Sequence, residues 1–292
     1  MSLIGLEQYH RPRRLQEVAA LLAQYEDEAL IVSGGTFIHG LAARGLIAGV
    51  KHLIDINDLD LDYTNNNGEQ LRIGATSLLR QLDNNPDIQQ EPGLGAIRDA
   101  LKYPPAQIKN AASIGGSVAS ACPFLDLPIS LLALDADIVA YGSGGARDIK
   151  LEAFFLSLFE NALHEDELLQ EIRVPLKQNC ASAFEKLETN ANDLAILNAA
   201  TAISASGNTC TAVRVFVGGG VGEVPARAVS VEKALNGKEL NRAGIEQAAA
   251  LAKDDVDPLS DHRGSARYRT AMAEVLVRRC LNRCLARLGI SG

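Results

Sequence analysis

The chain has 292 residues, of which 47% are hydrophobic, 28 are Lys or Arg and 36 are Asp or Glu, so its formal net charge is -8. This length and apolar content can bury the core of one large domain or of two. The acidic balance argues against a nucleic-acid partner, and no apolar run approaches the ~18 residues that a membrane span needs.

The opening segment and the cysteines give no sign of export or of metal chemistry. Met1–Gly5 lacks a basic region followed by an apolar core, so we expect a soluble, cytoplasmic protein. The cysteines are odd in number, scattered and without C-x-x-C spacing: Cys122, Cys180, Cys210, Cys280 and Cys284. We therefore expect no disulfide framework, zinc site or iron–sulfur cluster in this chain. Any redox centre must come from a bound organic cofactor or from another subunit.

The N-terminal part of the chain predicts a small α/β unit. Apolar residues recur at helical spacing from Arg13 to Leu22, and Ala29–Val32 is an apolar run of strand length. Residues Thr36–Ala43 are predicted to form a second helix and His52–Asp55 a second strand. The first of two glycine pairs then lies at the carboxyl end of a strand.

Beyond this unit the sequence predicts hairpins and short helices. The apolar stretches Leu59–Tyr63 and Leu71–Ala75 flank Asn65–Gly68, whose Asn-Gly pair is typical of a hairpin turn. Three helices and one strand are predicted to follow: Ser77–Leu82, Leu94–Leu101, Leu127–Leu134 and the strand Asp137–Tyr141. The mixture favours an α+β domain over a doubly wound sheet.

After Pro175–Asn179 the sequence predicts a separate domain. Three extended stretches divided by turn residues predict an antiparallel meander: Ala181–Leu187, Ala195–Ser204 and Cys210–Val217. Three helices are predicted to close the chain: Val229–Leu235, Arg242–Ala252 and Ser265–Leu288. In the last helix a stripe at i, i+3, i+4 spacing is predicted to face the core: Tyr268, Ala271, Met272, Val275, Leu276 and Ala286.

Two glycine-rich loops carry most of the functional information. Val32–Ile38 and Ala112–Ser117 each place a Gly-Gly pair beside small hydroxyl residues. Backbone approaches a ligand closely only where no Cβ intervenes, and consecutive N–H groups in such a turn form a concavity suited to phosphate oxygens. The pair predicts one diphosphate held from two sides. For either loop alone, a tight turn without a ligand is the alternative.

At these motifs the chain resembles the flavin-binding, or medium, subunit of the molybdenum hydroxylases, the superfamily of xanthine dehydrogenase and carbon monoxide dehydrogenase. An ordered series of matches covers essentially the whole chain: Tyr9–Pro12, Ser33–Thr36, Leu71–Ala75, Ser113–Ser117, Cys122–Pro128, Glu171–Pro175, Phe184–Lys186, Val217–Gly219, Pro225–Arg227 and Asp261–Arg269. The chain departs from the family pattern at Phe37, where a polar or acidic residue is common, and at Ser117, which replaces the usual Asn. It also lacks the basic pair that often follows the lysine matched by Lys186.

The resemblance implies an α+β fold in two domains. Residues 1–177 would form a two-lobed FAD-binding domain of the vanillyl-alcohol-oxidase (PCMH) type, with lobes at about 1–58 and 59–177. Residues 178–292 would form a smaller domain of the carbon monoxide dehydrogenase flavoprotein type, with a three-stranded antiparallel sheet and helices.

The resemblance also implies FAD as the cofactor and a set of residues that bind it. The two glycine loops would hold the diphosphate, Asp126 would hydrogen-bond a polar part of FAD, and Leu169 and Lys186 would border the isoalloxazine. The complete set is Val32, Ser33, Gly34, Gly35, Thr36, Phe37, Ile38, Tyr103, Ala112, Ser113, Gly115, Gly116, Ser117, Ser120, Asp126, Leu169 and Lys186. Because FAD carries the redox chemistry, we expect no catalytic side chain and no metal site in this chain. A cation at Lys186 would stabilise the anionic reduced flavin.

The implied activity is that of a xanthine dehydrogenase-like oxidoreductase subunit, which would be inactive on substrate without its partners. Electrons would pass from a molybdopterin-containing large subunit through a [2Fe–2S] small subunit to this FAD, and then to NAD⁺, a quinone or oxygen. Two alternatives remain open from the residues. One is a stand-alone flavin oxidoreductase of the same fold; the other is an assembly module that has lost FAD, to which Phe37 and Ser117 point.

Overall fold

Strands and helices occur largely in separate runs along residues 5–290, the part of the chain that the computed structural model describes. The strands are β1 (Gln8–His10), β2 (Ala29–Val32), β3 (His52–Asp55), β4 (Thr64–Asn66), β5 (Gln70–Gly74), β6 (Asp137–Gly142), β7 (Gly145–Lys150), β8 (Phe155–Ser157), β9 (Glu160–Asn161), β10 (Leu168–Pro175), β11 (Cys180–Leu187), β12 (Leu197–Ser206), β13 (Thr209–Gly218) and β14 (Ala226–Arg227). The predicted α+β class is confirmed.

The helices are short except for the last. They are α1 (Leu15–Tyr25), α2 (Thr36–Ala43), α3 (Leu79–Asp83), α4 (Pro86–Gln90), α5 (Gly95–Ala100), α6 (Ala106–Lys109), α7 (Ile114–Ala119), α8 (Asp126–Ala133), α9 (Val229–Leu235), α10 (Arg242–Ala249) and α11 (Ala266–Leu288). No helix within residues 5–290 is long and apolar enough to cross a membrane. Met1–Ile4, to which the expectation about export refers, lie outside the described residues.

The N-terminal unit is a parallel three-stranded sheet in the order β1-β3-β2. The predicted strands β2 and β3 and the predicted helix α2 have the expected bounds. Parallel neighbours need a crossover connection, and α2 supplies it between β2 and β3. Because β2 ends at Val32, the first glycine loop lies at the carboxyl edge of this sheet, as predicted.

The next sheet is antiparallel, in the order β4-β5-β10-β6-β7. The predicted hairpin is present, but its first strand begins at Thr64 instead of Leu59. Leu59 and Leu61 are buried outside any strand, so their apolar character reflects core packing. The turn lies one to two residues later than predicted because the side chain of Asn67 accepts hydrogen bonds from the N–H groups of Glu69 (3.0 Å) and Gln70 (2.9 Å).

The C-terminal part is built on the antiparallel sheet β11-β12-β13-β14. Its first three strands form the predicted meander, and the two-residue β14 was not predicted. The helix α11 packs against β11 and β12, and a separate cluster of buried apolar side chains fills the space between them. Cys280 and Cys284 belong to this cluster and are fully buried, so they pack as small apolar side chains.

The predicted core face of α11 is wrong for most of its members. Only Leu276 is fully buried; Met272 packs partly against the core, and Tyr268 is 44% exposed. The buried face consists of Arg269, Ala273, Leu276, Val277, Cys280, Leu281, Cys284 and Leu285. Arg269 turns inward and donates to backbone carbonyls, which rotates the buried face away from the stripe that apolar spacing alone suggested.

A buried carboxylate joins α5 to α11. Asp99 is 1% exposed and accepts a bidentate pair of hydrogen bonds from Arg287, each 2.8 Å long. Arg283 donates to it at 3.2 Å, and the backbone N–H of Phe184 at 3.3 Å. Burial alone would raise the pKa of Asp99, but the hydrogen bonds and charges of Arg287 and Lys102 outweigh it and lower that pKa to about 2.

Replacing Asp99 with Asn is expected to lower the free energy of unfolding by about 2 kcal/mol near neutral pH, because the partly buried guanidinium groups of Arg283 and Arg287 lose their buried counter-charge. The carboxylate's contribution is present above its unfolded pKa and is lost as the pH falls from about 4 towards 2. Urea titrations of both proteins between pH 7 and pH 3 measure this.

The control for this prediction is Lys102→Met. Lys102 also contacts Asp99, at 3.0 Å, but its side chain is 64% exposed. An exposed ion pair contributes about 0–1 kcal/mol, so this variant should unfold close to wild type. Equal losses for the two variants would contradict the role assigned to the Arg283 and Arg287 contacts.

Candidate functional site

The first glycine loop turns directly from β2 into α2. Gly35 has φ +68°, a left-handed conformation that glycine adopts without strain, and it is the residue before the first turn of α2. No side chain caps this helix. The residues from Val32 to Ile38 are all half-buried, so the loop is reachable from solvent.

The backbone of this loop offers free donors. Within residues 5–290, no N–H group from Ser33 to Ile38 donates a hydrogen bond to another residue. The first N–H groups of a helix have no partner inside the helix, and the helix dipole favours a negative charge at this end. The first loop therefore has the donors and the polarity for a phosphate group.

A polar network holds the first loop in place. Asn57 donates to the carbonyl of Ser33 at 3.1 Å, and Ser33 Oγ donates to Asn57 Oδ1 at 3.0 Å. Asp55 in turn accepts from the backbone N–H (2.9 Å) and the amide (2.7 Å) of Asn57, and also from the hydroxyl of Tyr9. No sequence pattern points to Asn57, because its role depends on the turn after β3.

Gly34 brings the two glycine motifs into direct contact. A Cβ at this position would lie 1.7 Å from the carbonyl oxygen of Ala111 and 3.0 Å from the Cα of Ala112. No other residue type fits without displacing one of these backbones. Gly34 is predicted to contact a ligand, and the structure shows that it also packs the first loop against the segment that leads into the second motif.

The second glycine motif is the start of a helix rather than a loop. Ser113 is the N-cap of α7, and its Oγ accepts from the N–H of Gly116 at 3.2 Å. The N–H groups of Ile114 and Gly115 donate to the carbonyls of Ser77 (3.0 Å) and Ala75 (2.9 Å). The expectation of N–H donors from both motifs is therefore wrong for the second, whose donors are used inside the protein. Its exposed surface consists of Gly116 and the half-buried Ser117 and Ser120, whose hydroxyls donate to the carbonyls of Ser113 (2.9 Å) and Ser117 (3.1 Å).

The departure at Phe37 has a local explanation. Its ring lies 6.2 Å from that of Phe159, in the turn between β8 and β9. Phe159 is 55% exposed and is tied back by a hydrogen bond from its N–H to the carbonyl of Ala121. An aromatic contact therefore takes the place of the polar residue expected at the start of α2.

A second group of the predicted site residues forms a buried ionic cluster. Lys186 Nζ lies 3.0 Å from Asp126 Oδ2, and the two side chains are only 4% and 9% exposed. The ammonium also lies 5.1 Å from the ring centre of Tyr103, and the hydroxyl of Tyr103 accepts from the N–H of Lys186 at 3.2 Å. Asn198 donates to the other carboxylate oxygen of Asp126 at 3.2 Å.

A second carboxylate completes this cluster. Glu188 Oε2 lies 3.2 Å from Lys186 Nζ. Burial raises the pKa of Asp126 to about 6; Lys186 and Asn198 oppose that rise, and the charge of Glu188 adds to it. One cation thus faces two carboxylates. From the sequence, Glu188 stands out only as part of the segment that lacks the expected basic pair. Residues two apart in an extended chain share a face, so this spacing could have placed Glu188 beside Lys186.

The C-terminal part holds the segment before Asp126 through its backbone. The N–H groups of Gly219 and Ala195 donate to the carbonyls of Pro123 (3.0 Å) and Phe124 (3.4 Å), and Asn198 Nδ2 donates to that of Leu125 at 3.2 Å. The position of Asp126 therefore depends on both parts of the chain.

The two groups of predicted residues are linked through α7. This helix packs against α8, which begins at Asp126, and against β10, which carries the buried Leu169. The helix α7 therefore connects the two groups: Gly34 of the first loop contacts the segment that leads into α7, and α7 packs against α8, whose first residue is Asp126 of the Lys186 cluster. Within residues 5–290 no group of His, Cys, Asp and Glu side chains could hold a metal ion.

Two family models match this chain. Residues 5–177 match the FAD binding domain in molybdopterin dehydrogenase, and residues 182–284 match the CO dehydrogenase flavoprotein C-terminal domain.

Similar proteins of known activity match over almost their whole length. The carbon monoxide dehydrogenase medium chain of Hydrogenophaga pseudoflava is 34% identical over 284 residues, which cover 96% of this chain and 97% of that one. The glyceraldehyde dehydrogenase medium chain of Sulfolobus acidocaldarius is 30% identical over 270 residues, with 92% and 94% covered. A solved structure of carbon monoxide dehydrogenase from H. pseudoflava, which lacks the Mo-pyranopterin moiety of the molybdenum cofactor, has a TM-score of 0.90 at 33% identity, with 97% and 98% covered.

Proposed function

We propose a function from the premise that this chain belongs to the family of FAD-binding medium subunits of molybdenum hydroxylases. In this function the chain relays electrons from the iron–sulfur clusters of a partner subunit through FAD to a final acceptor. The observation that carries the proposal is the match of both domain models in order along one chain. The division at about residue 177 is part of the same proposal.

The residues present fit FAD. We assign the diphosphate to the free N–H groups of Ser33–Ile38, three in the loop before α2 and three in its first turn, because unpaired donors at a helix N-terminus suit an anion. Gly116, Ser117 and Ser120 would face the same diphosphate from α7. Their contribution would be close approach at Gly116, because the N–H groups of Gly115 and Gly116 and the hydroxyls of Ser117 and Ser120 all donate hydrogen bonds within the protein.

The isoalloxazine is assigned to the region of Tyr103, Leu169 and Lys186, with Asp126 behind the lysine. When bound, FAD supplies the electron-transfer chemistry. The chain's own residues orient it: Leu169 offers an apolar wall, and Lys186, fixed by Asp126 and Tyr103, offers a positive charge at a set position. No side chain is assigned a bond-breaking role.

The partners follow from the names of the relatives. These are medium chains of dehydrogenases, which implies a molybdopterin-containing large subunit and a [2Fe–2S] small subunit for this chain as well. The relatives are named for different substrates, so we infer that the substrate is chosen by the large subunit. NAD⁺, a quinone or oxygen would accept the electrons, and we propose a cytoplasmic location for the complex.

Reconstitution tests this function in two stages. The purified chain is expected to bind one equivalent of FAD, followed by flavin fluorescence and by absorbance retained after gel filtration. Coexpression with a molybdopterin-containing large subunit and a [2Fe–2S] small subunit should then give a complex whose flavin is reduced by substrate only when both partners are present.

The two ways in which this experiment can fail support two different alternative functions. A folded chain that binds no FAD would support an assembly module instead. A flavin that is reduced directly by substrate in the isolated chain would support a stand-alone oxidoreductase.

A further inference from the structure

We propose that Glu188 is a positioning residue that sets the balance between oxidised and reduced FAD by offsetting the charge of Lys186. The inference rests on the proposed function, because it needs FAD bound beside Lys186. It concerns a residue outside the set expected to contact the cofactor.

The geometry places Glu188 on the lysine rather than on solvent. Its side chain is 20% exposed, and Oε2 lies 3.2 Å from Lys186 Nζ. This oxygen is buried and accepts no hydrogen bond from another described residue, so its contact with the ammonium is one of charge. Asp126 already satisfies Lys186 with a hydrogen bond of 3.0 Å. A second carboxylate is therefore not needed to neutralise the buried cation.

The charges in this cluster do not cancel. With Asp126 and Glu188 ionised, one ammonium faces two carboxylates, and the cluster carries a net negative charge. The amide of Asn198 is neutral, and Tyr103 presents a ring and an uncharged hydroxyl. Placing a net negative charge in a half-buried site is costly unless something opposes it, and Glu188 is the member whose removal leaves a neutral pair.

The charge of Glu188 affects the reduced form of the cofactor more than the oxidised form. Two electrons and one proton convert FAD to FADH⁻, which carries one more negative charge than FAD. A carboxylate near the isoalloxazine opposes that added charge, whereas Lys186 favours it. Glu188 therefore weakens binding of the reduced form relative to the oxidised form, and lowers the midpoint potential of the bound flavin.

The test compares Glu188→Gln with wild type, both loaded with FAD. Dithionite reduction in the presence of a reference dye gives the midpoint potential at pH 7.5. Removal of the charge is expected to strengthen the binding of reduced FAD, relative to that of oxidised FAD, at least about tenfold. For a two-electron couple this equals a rise of about 30 mV.

Two further variants separate charge from structure. Glu165→Gln removes the same charge from an exposed position and should leave the potential unchanged. Glu188→Asp keeps the charge and should stay closer to wild type than Glu188→Gln. A merely structural role would alter thermal stability and FAD content without an ordered shift in potential.

The outcomes are distinguishable from failure of the proposed function. If the wild-type chain binds no FAD, the proposed function fails before the potential is measured. If all proteins bind FAD and Glu188→Gln has the wild-type potential or a lower one, the role of Glu188 is wrong and the FAD-binding function stands.

Discussion

Replacing Gly34 with alanine is expected to raise the dissociation constant for FAD about tenfold to a hundredfold. The new Cβ would lie 1.7 Å from the carbonyl oxygen of Ala111 and 2.6 Å from its carbonyl carbon. Both are backbone atoms, so a side-chain rotation cannot relieve the overlap. The first loop and the segment before α7 must separate, and forcing such a shift costs about 1–3 kcal/mol, which corresponds to that change in affinity.

The matched control is Gly40→Ala, the same substitution six residues further along in α2. A Cβ at Gly40 would meet only the flexible end of Arg44, at 3.3 Å. Alanine is favoured over glycine within a helix by about 0.5–1 kcal/mol, so this variant should bind FAD normally and unfold no earlier than wild type.

Fluorescence titration with FAD measures both variants, and circular dichroism shows that each is folded. Wild-type affinity in folded Gly34→Ala protein would show that the contact between Gly34 and Ala111 does not shape the binding site. Loss of affinity in Gly40→Ala as well would point to a general sensitivity of α2.

The second large effect is expected from Arg269→Met, which should lower the free energy of unfolding by about 3–5 kcal/mol. Arg269 is fully buried and donates to the carbonyls of Ile196 (3.1 Å) and Leu259 and to Asp261 Oδ1 (2.7 Å). Methionine fills much of the same volume but leaves these acceptors without a donor. Each buried acceptor left without a donor costs about 1–3 kcal/mol, and the two carbonyls lose their donor together, whereas Asp261 is 31% exposed and loses a partly solvated counter-charge.

The control is Arg267→Met, two positions earlier. Arg267 is exposed and makes no side-chain hydrogen bond or ion pair within residues 5–290, so its replacement should change the unfolding free energy by at most about 0.5 kcal/mol. Urea titration followed by circular dichroism gives both values. A loss below 1 kcal/mol for Arg269→Met would mean that water replaces the guanidinium, and that the loops it joins are held by other contacts.

Arg269 also connects the stability of the C-terminal part to the site. It holds Ile196, which immediately precedes β12, and Asn198 in β12 donates to Asp126. A variant that frees this end of β12 should therefore weaken FAD binding as well as lower stability. The family signature at Asp261–Arg269 thus has a physical basis: a buried cation that joins three stretches of chain.

The site shows which kinds of prediction a sequence supports. The position of the first glycine loop, between β2 and α2, followed from apolar runs and glycines that are neighbours in the chain. The second motif has the same composition, but its N–H groups meet the carbonyls of Ala75 and Ser77, nearly forty residues earlier. Local composition could not distinguish a loop with free donors from a helix start with paired ones.

By itself the sequence determined the α+β class, most strand and helix positions, and membership of the medium-subunit family, because these depend on short-range patterns and ordered motifs. Only the tertiary structure decided that Lys186 lies between Asp126 and Glu188, that Arg269 faces inward, and that Gly34 contacts Ala111. The physical reason is that burial and charge pairing are set by residues that lie far apart in the chain, such as Lys186 and Asp126, and meet only when the two parts pack together.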